Sequence, residues 1–460
     1  MTTNTLEISI FKRTLKLAIP AAASRFIAVF AIFSGMAMVA HLGHHALAAS
    51  ALMLPAQTSL TVISMSIIFS TSAVVGRAYG AKQHHLIGCI LRQACLLALI
   101  VSIPMMFIGK HMYAILTYFH QSPDLIKMVQ QYFDVTLWSY PFLMINATCA
   151  QAFYGILKQK MVMKFALIST IINIITAYGF IFGKLGFPHC GIAGLGYATI
   201  IQMITGCMMY FAVIAFNAEL KPYHFLKRIP SPHRCMKQLL SIGLPISLQT
   251  GAELLYFLTV TMMTGWLGNE ALGANQITRQ YMFLLVVPIF SLSQAAGVLV
   301  SQSYGRKEFS AIPKFGNASL QLAFFLVTVV GGLYVFMPHQ LARLFVDISD
   351  PKNQHILYLA SWLFVIAVTY EFFDAVRNVL TGALRGLYDT KYAMMVSVLG
   401  IWCVSLPCAY YFAFHLHWGV IGIALGTSTG ILLGMILMIS RWHAQLAKVL
   451  AMDHGKKALG

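Results

Sequence analysis

Apolar stretches long enough to cross a lipid bilayer recur along the whole chain and leave no room for a soluble domain. Hydrophobic residues make up 59% of the 460 positions and charged residues only 10%, against roughly 25% charged in a soluble domain. Since a spanning helix needs about 20 apolar residues, the sequence predicts an all-α membrane protein with about twelve transmembrane helices. We place the spans at 15–40, 52–75, 87–109, 132–155, 163–183, 193–216, 239–264, 280–303, 318–338, 356–384, 392–414 and 419–440.

The surplus of basic residues is explained by membrane topology rather than by nucleic-acid binding. The chain carries 31 Lys and Arg against 13 Asp and Glu, a net charge of +18. Most of these basic residues fall in the segments on the same side as the N-terminus, as the positive-inside rule requires of the cytoplasmic side. We therefore expect a multi-pass protein of the bacterial inner (cytoplasmic) membrane with both termini cytoplasmic, in contact with the lipid bilayer and not with nucleic acid.

An internal repeat relates the two halves of the chain. Sliding the sequence by 225 positions aligns a proline and two glycine-bearing turns without a gap, and a weaker match follows at an offset of 228. The aligned pairs are Pro20 with Pro245, Leu42-Gly43 with Leu267-Gly268, Tyr79-Gly80 with Tyr304-Gly305, and Gly191 and Gly194 with Gly419 and Gly422. Chance apolar similarity does not produce a proline and several glycines in one register.

The repeat predicts two six-helix lobes with the same orientation across the membrane. Six spans separate equivalent positions, and an even number makes the repeat parallel, about a pseudo-twofold axis along the membrane normal. We expect an N-terminal lobe at 1–216, a basic cytoplasmic linker at 217–238 and a C-terminal lobe at 239–460. The transport pathway should lie between the lobes, and the chain should function as a monomer.

Acidic side chains at membrane depth are few and concentrate in the second half. Glu253 lies one helical turn after Gln249 in the seventh span, and Tyr370, Asp374 and Arg377 follow at i, i+4 and i+7 in the tenth. Ionisable groups at this depth are costly unless paired or hydrated, so they are functional candidates. Two carboxylates beside a phenol can hold Na⁺ or share a proton. Glu253, Asp374 and Tyr370 are therefore the predicted ion-coupling residues, and the alternative is a structural i,i+3 pair of Asp374 with Arg377.

Other residues on these or neighbouring spans are candidates for supporting or cavity positions. Glu371 points about 60° away from the Tyr370 stripe and is either a second cavity acid or a member of a buried pair. Arg25 and Arg279, in the first and eighth spans, either extend to an interface or serve function. Acids and aromatic faces together suit flat organic cations. The supporting candidates are Gln249, Glu371, Arg377, Tyr256, Phe257 and Tyr281.

Motifs of other functional classes are missing from the sequence. It contains no GxxxxGK[ST] loop for ATP and no HExxH, GxSxG or paired zinc-ligand pattern. The eight cysteines form no CxxC pair and lie mostly inside spans, which indicates buried thiols. The start MTTNTLEIS lacks the pattern of a cleaved signal peptide. We expect no enzymatic activity, no cofactor, and no bound metal beyond Na⁺ at Glu253 and Asp374.

Several segments together resemble the multidrug and toxic compound extrusion (MATE) family, in its NorM-like branch, over essentially the full length. They are LAIP at 17–20, LGxxALAA at 42–49, Asn173, GIAGLGYAT at 191–199, GLPISLQ…E at 243–253 and YEFFDAV…GALRGLYD at 370–389. The resemblance implies an antiporter with twelve helices and two lobes that exports cationic amphipathic small molecules against Na⁺ or H⁺. It also implies that Glu253, Tyr370 and Asp374 stand at the family's cation-binding glutamate, tyrosine and aspartate.

The sequence departs from the family pattern at Gly35, where the first helix of the family usually carries an aspartate. We therefore expect coupling to run through the C-terminal lobe, with Na⁺ favoured over H⁺.

Two other functions stay open from the sequence. A lipid-linked oligosaccharide flippase of the same broad superfamily needs a basic cavity, which Arg25, Arg279 and Arg377 allow, but Glu253 and Asp374 argue against it. A membrane-embedded transferase is a remote alternative, because it needs polar loops to hold a donor and the loops here are short.

Overall fold

Every regular element in the described part of the chain is helical. The computed structural model describes residues 3–118, 122–223, 225, 232–346 and 353–457, and these ranges contain no strand. The α-helices are α1 (Thr3–Ala40), α2 (His44–Ile68), α3 (Ser70–Gly80), α4 (His84–Lys110), α5 (Met112–Tyr118), α6 (Pro123–Thr136), α7 (Tyr140–Gly155), α8 (Gln159–Phe182), α9 (Ala193–Phe216), α10 (Pro232–Trp266), α11 (Asn269–Arg306), α12 (Ala311–Phe336), α13 (Pro338–Ala342), α14 (Gln354–Gly386), α15 (Thr390–Leu399), α16 (Leu406–Tyr410) and α17 (Gly419–Lys457). The prediction of an all-α membrane protein is confirmed.

Each predicted span overlaps one or more of these helices. Within the described residues, ten continuous helical segments are long and apolar enough to cross a bilayer. The fourth and seventh predicted spans lie on helices outside that set. The fourth is divided between α6 and α7 by a 3-10 turn at Leu137–Ser139, and the seventh, α10, carries polar residues including Gln249 and Glu253.

The sequence repeat reappears as matched turns in the two halves. Gly43 and Gly268 precede α2 and α11 with φ of 108° and 104°, values that strongly favour glycine. In both turns the glycine carbonyl accepts the first helical hydrogen bond, from Leu47 at 3.1 Å and from Leu272 at 3.2 Å. The Leu-Gly pairs therefore recur because both halves need the same backbone conformation at a helix start.

The helices group into two compact units. The first unit is Pro20–Ser247, and the second is Leu248–Gly460 together with Met1–Ile19. The core of the first unit includes Met53, Tyr132 and Phe133. The predicted lobe boundaries, 1–216 and 239–460 with a linker at 217–238, stay a prediction, and linker residues 224 and 226–231 lie outside the described part.

In the second unit α11 and α14 approach closely enough to bring backbone against backbone. A Cβ placed on Gly382 would lie 2.1 Å from the carbonyl oxygen of Ser293, and one on Gly297 would lie 2.7 Å from that of Gly382. Ser293 also donates its hydroxyl to the carbonyl of Asn378 at 2.6 Å. This contact fixes the register of α14, the helix that carries Tyr370, Glu371, Asp374 and Arg377 of the predicted site.

Candidate functional site

Glu253 is presented by the part of α10 that belongs to the second unit. Gln249 lies one turn earlier on the same face, and its amide donates to Glu253 Oε1 at 3.1 Å. The side chain of Glu253 is 26% exposed. One carboxylate oxygen is therefore bound by Gln249, while the carboxylate group stays accessible from outside the protein. No donor from the described residues reaches Oε2 of Glu253.

Asp374 and Arg377 are adjacent on one face of α14 and are both buried. Arg377 donates to Asp374 Oδ1 through Nε at 3.0 Å and Nη2 at 2.7 Å. The other oxygen, Oδ2, accepts from Asn378 Nδ2 at 2.6 Å. The i,i+3 pair that helical spacing offered as an alternative is therefore present.

Arg377 also joins this pair to α10. Its Nη1 donates to Glu253 Oε1 at 2.9 Å and to the hydroxyl of Ser397 in α15 at 2.8 Å. Glu253, Arg377 and Asp374, which we call the acid–arginine cluster, thus link three helices of the second unit through Ser397. With both carboxylates ionised the cluster carries one net negative charge.

An aromatic layer packs next to the acid–arginine cluster. Tyr370 and Trp402 border a buried group that contains Tyr256. The Tyr256 hydroxyl donates to Thr427 Oγ1 at 2.9 Å, and the Trp402 indole donates to the carbonyl of Ala252 at 3.2 Å. Tyr256 is 2% exposed, so it supports α10 against α17 rather than offering a free hydroxyl.

The side chains of Phe257 and Arg279 connect α10 to α11. The guanidinium of Arg279 lies 5.2 Å from the Phe257 ring centroid, within the range of a cation–π interaction. Its Nη1 also donates to Thr261 Oγ1 at 2.8 Å. Phe257 is partly exposed, so this pair borders open space on the second unit.

Two of the supporting candidates lie apart from the cluster. Tyr281 belongs to a packing group with Tyr334 and Phe364, and its hydroxyl donates to the carbonyl of Leu341 at 2.8 Å. Glu371 is fully buried on another face of α14, and neither of its carboxyl oxygens has a hydrogen-bond partner among the described residues. Helical geometry placed Glu371 away from the Tyr370 stripe, and the structure agrees.

Sequence reasoning missed Asn378, Ser397 and Trp402. Asn378 follows Asp374 by four residues on one helix, so spacing alone could have identified it. Ser397 and Trp402 reach the site from α15 and from the π-helical segment Gly400–Ser405. No local sequence pattern predicts that the side chain of Ser397 faces α14 or that the side chain of Trp402 faces α10.

The part of α1 that belongs to the first unit, from Pro20 to Ala40, contains no acidic residue. A Cβ at Gly35 would lie 2.7 Å from Leu195 Cδ1, and Leu195 belongs to the apolar core of that unit. In the described residues no three His, Cys, Asp or Glu side chains are placed to hold a metal ion.

Comparison with known proteins identifies the family. The MatE family profile matches residues 20–179 and, a second time, residues 245–411. The chain belongs to the MatE family. The two matches begin at Pro20 and Pro245, the register of the internal repeat, so each half is one copy of the family unit.

Relatives and solved structures agree over nearly the full length. The chain is 28% identical over 438 residues to a protein named probable multidrug resistance protein NorM of Synechocystis sp., covering 94% of each. It is 27% identical over 440 residues to multidrug resistance protein NorM of Burkholderia vietnamiensis, covering 95% of each. A crystal structure of MATE in the bent conformation superposes with a TM-score of 0.87 at 16% identity, covering 97% and 99% of the two chains. This MATE protein is therefore a multi-pass membrane transporter and not an enzyme.

Proposed function

We propose that this MATE protein is a secondary active antiporter that exports organic cations and drugs across the bacterial inner membrane in exchange for Na⁺ or H⁺. Its relatives are named multidrug resistance proteins. The chain has no nucleotide-binding loop, so an ion gradient is the expected energy source. We expect both termini in the cytoplasm and the monomer as the functional form.

The acid–arginine cluster carries this proposal because of its charge. Two carboxylates and one guanidinium leave a single negative charge. The side chain of Glu253 is 26% exposed, and its Oε2 is free of donors from the described residues. Such a cluster attracts one monovalent cation, and a second would meet a neutral site. A coupling ion and a cationic substrate would therefore exclude each other, which is the requirement for exchange.

The same geometry favours Na⁺ over H⁺ at this cluster. A proton on either carboxylate would replace its ion pair with Arg377 by a weaker hydrogen bond from the guanidinium to a neutral carboxyl group. A sodium ion can instead use carboxylate oxygens while Arg377 keeps its hydrogen bonds. We infer that Glu253 and Asp374 bind the ion and that Tyr370, on the same stripe as Asp374, borders it.

The flippase alternative is weakened by the pairing of Arg377. Since its guanidinium is bound to Glu253 and Asp374, it is not available to a pyrophosphate group. A pyrophosphate would also approach a cluster of its own sign of charge.

The test is dye export from a bacterium that lacks its own efflux pumps. Cells expressing the chain are loaded with ethidium, and Na⁺ and pH gradients are imposed separately. We expect export, and we expect Glu253→Ala and Asp374→Ala each to abolish it while the protein stays in the membrane. The matched control is Glu270→Ala, which removes an exposed acid paired with His355 and should export normally.

Unchanged export by both cluster variants would contradict the assigned ion site. Absence of export under either gradient, with the protein confirmed in the membrane, would contradict the antiporter and point to lipid-linked cargo.

A further inference from the structure

Arg279 of α11 is a cation in the second unit that the proposed ion site does not use. Its guanidinium lies 5.2 Å from the Phe257 ring centroid, and its Nη1 donates to Thr261 Oγ1 at 2.8 Å. In the part of the chain that the structure describes, Arg279 forms no ion pair with an Asp or Glu side chain. The positive charge of this guanidinium is therefore not balanced by a described carboxylate.

The guanidinium of Arg279 also has donors to spare, unlike that of Arg377. In Arg377, the nitrogens Nε, Nη1 and Nη2 all donate to Glu253 or Asp374. A guanidinium carries five N–H donors in a planar fork, and among the described residues only Thr261 accepts from Arg279. Nε and Nη2 of Arg279 are therefore left for a ligand.

The residues that Arg279 contacts continue the helix face that carries Glu253. Glu253, Phe257 and Thr261 follow one another at intervals of four residues on α10, so their side chains lie on one face of the helix. With a rise of 1.5 Å per residue, the levels of Phe257 and Thr261 lie about 6 Å and about 12 Å along α10 from Glu253. An acid, an aromatic ring and a base are thus arranged in that order along one helix face.

This face of α10 is accessible to a ligand. The side chain of Glu253 is 26% exposed, and Phe257 is 37% exposed. Tyr370 of α14, on the same stripe as Asp374, is close enough to interact electrostatically with Arg279. A molecule that packs against the Phe257 ring can therefore reach Glu253 at one end and Arg279 at the other.

A carboxylate on the ligand would suit Arg279 better than its partners within the protein. An arginine in a membrane-spanning helix is costly without a counter-charge, and a hydroxyl and an aromatic ring offset only part of that cost. A carboxylate accepts two parallel hydrogen bonds from a guanidinium and supplies the balancing charge. At the other end, the single negative charge of the acid–arginine cluster attracts a cationic group.

We propose that Arg279 binds a substrate carboxylate, and that the substrates of this protein include amphoteric aromatic molecules with a cationic group and a carboxylate at opposite ends. The cationic group binds at Glu253, the ring system packs against Phe257, and the carboxylate pairs with Arg279. This inference rests on the proposed export function and names a substrate class for it. Simple cations such as ethidium use the acid–arginine cluster and do not need Arg279.

The first test compares export of rhodamine B, which carries a carboxylate, with export of its ethyl ester, which has the same cationic ring system without that charge. Each dye is exported from proteoliposomes under the same ion gradient by wild type, Arg279→Gln and Arg279→Lys. Arg279→Gln should lower rhodamine B export by about 10-fold or more, since it removes charge-assisted hydrogen bonds. It should keep export of the ester, which also shows that the variant folds.

Two further variants separate the guanidinium from its charge and from its position. Arg279→Lys keeps the charge but not the planar fork, so rhodamine B export should lie between that of Arg279→Gln and that of wild type. The matched control is Arg343→Gln, the same substitution at an exposed residue directly after α13, which should export both dyes as wild type does.

The second test does not depend on transport. The fluorescence anisotropy of each dye is recorded as purified protein in detergent is added. Arg279→Gln should weaken binding of rhodamine B by about 10-fold and leave binding of the ester unchanged.

Equal losses of both dyes in Arg279→Gln would overturn the proposal, as would export and binding of rhodamine B equal to those of wild type. Export of the ester but not of rhodamine B by wild type would also overturn it. If wild type exports neither dye, the antiporter fails, and the binding measurement alone decides whether Arg279 recognises a carboxylate.

Discussion

Replacing Arg377 by glutamine should destabilise the second unit by about 3 kcal/mol, because it removes the cation but leaves its acids in place. Breaking a buried ion pair by removing one partner costs roughly 3–5 kcal/mol, mostly from the charge left behind. The side chain of Asp374 is 9% exposed, which places it in this class, whereas Glu253 is 26% exposed and can be hydrated. Only one uncompensated charge is therefore fully buried, and the expected loss lies at the low end of the range.

The assay is denaturant unfolding in detergent micelles for Arg377→Gln, Asp374→Asn and the double variant. Because the double variant leaves no buried charge at Asp374, its loss should be smaller than the sum of the single losses by about 2 kcal/mol. Arg306→Gln is the matched control, since Arg306 and Glu308 form an exposed pair in the same unit, and it should cost under about 1 kcal/mol. Strict additivity, or a loss for Arg377→Gln no larger than the control, would refute the reasoning.

Two further pairs of substitutions test how the second unit holds α14 and α10. Gly382→Ala should cost about 3 kcal/mol, the upper end for overpacking, because the added Cβ would meet the carbonyl oxygen of Ser293. The control Gly332→Ala, whose Cβ would enter open space, should be neutral or stabilise the protein by up to about 1 kcal/mol. Equal shifts in melting temperature for the two variants would contradict this. Thr427→Val should cost about 1–3 kcal/mol, because it removes the Thr427 acceptor of the buried Tyr256 hydroxyl. Tyr256→Phe removes that hydroxyl as well as the hydrogen bond, so it should cost less than Thr427→Val. A larger shift in melting temperature for Tyr256→Phe would contradict this.

Local periodicity predicted the parts of the site that lie on one helix. The stripe of Tyr370, Asp374 and Arg377 follows from 3.6 residues per turn, and the i,i+3 pair within it is present. The contact from Arg377 to Glu253 could not be predicted, because it depends on how α10 and α14 are set against each other. The position of α14 against α11 is likewise fixed by backbone contacts, such as Gly382 with Ser293, which no spacing within a single helix encodes.

The fold was more predictable than the site because its signals are redundant. The Leu-Gly turns appear twice and need the same unusual φ at Gly43 and Gly268, so each copy supports the other. Trp402 illustrates the opposite case. It lies in the π-helical segment Gly400–Ser405. Because a π-helix has more residues per turn than an α-helix, α-helical spacing does not give the direction of this side chain.

The difference between the halves is a matter of solvation as well as of sequence. The sequence resemblance predicts that Gly35 replaces the first-helix acid of the family, and in the structure Leu195 fills the adjacent space in an apolar core. A carboxylate there would need a partner or water, and Leu195 supplies neither. Glu253 and Asp374 are tolerated because Gln249, Arg377 and Asn378 bind their oxygens. An ionised carboxylate in this fold therefore needs a polar shell around it. The second unit provides one at Glu253 and Asp374, where we place the proposed ion coupling.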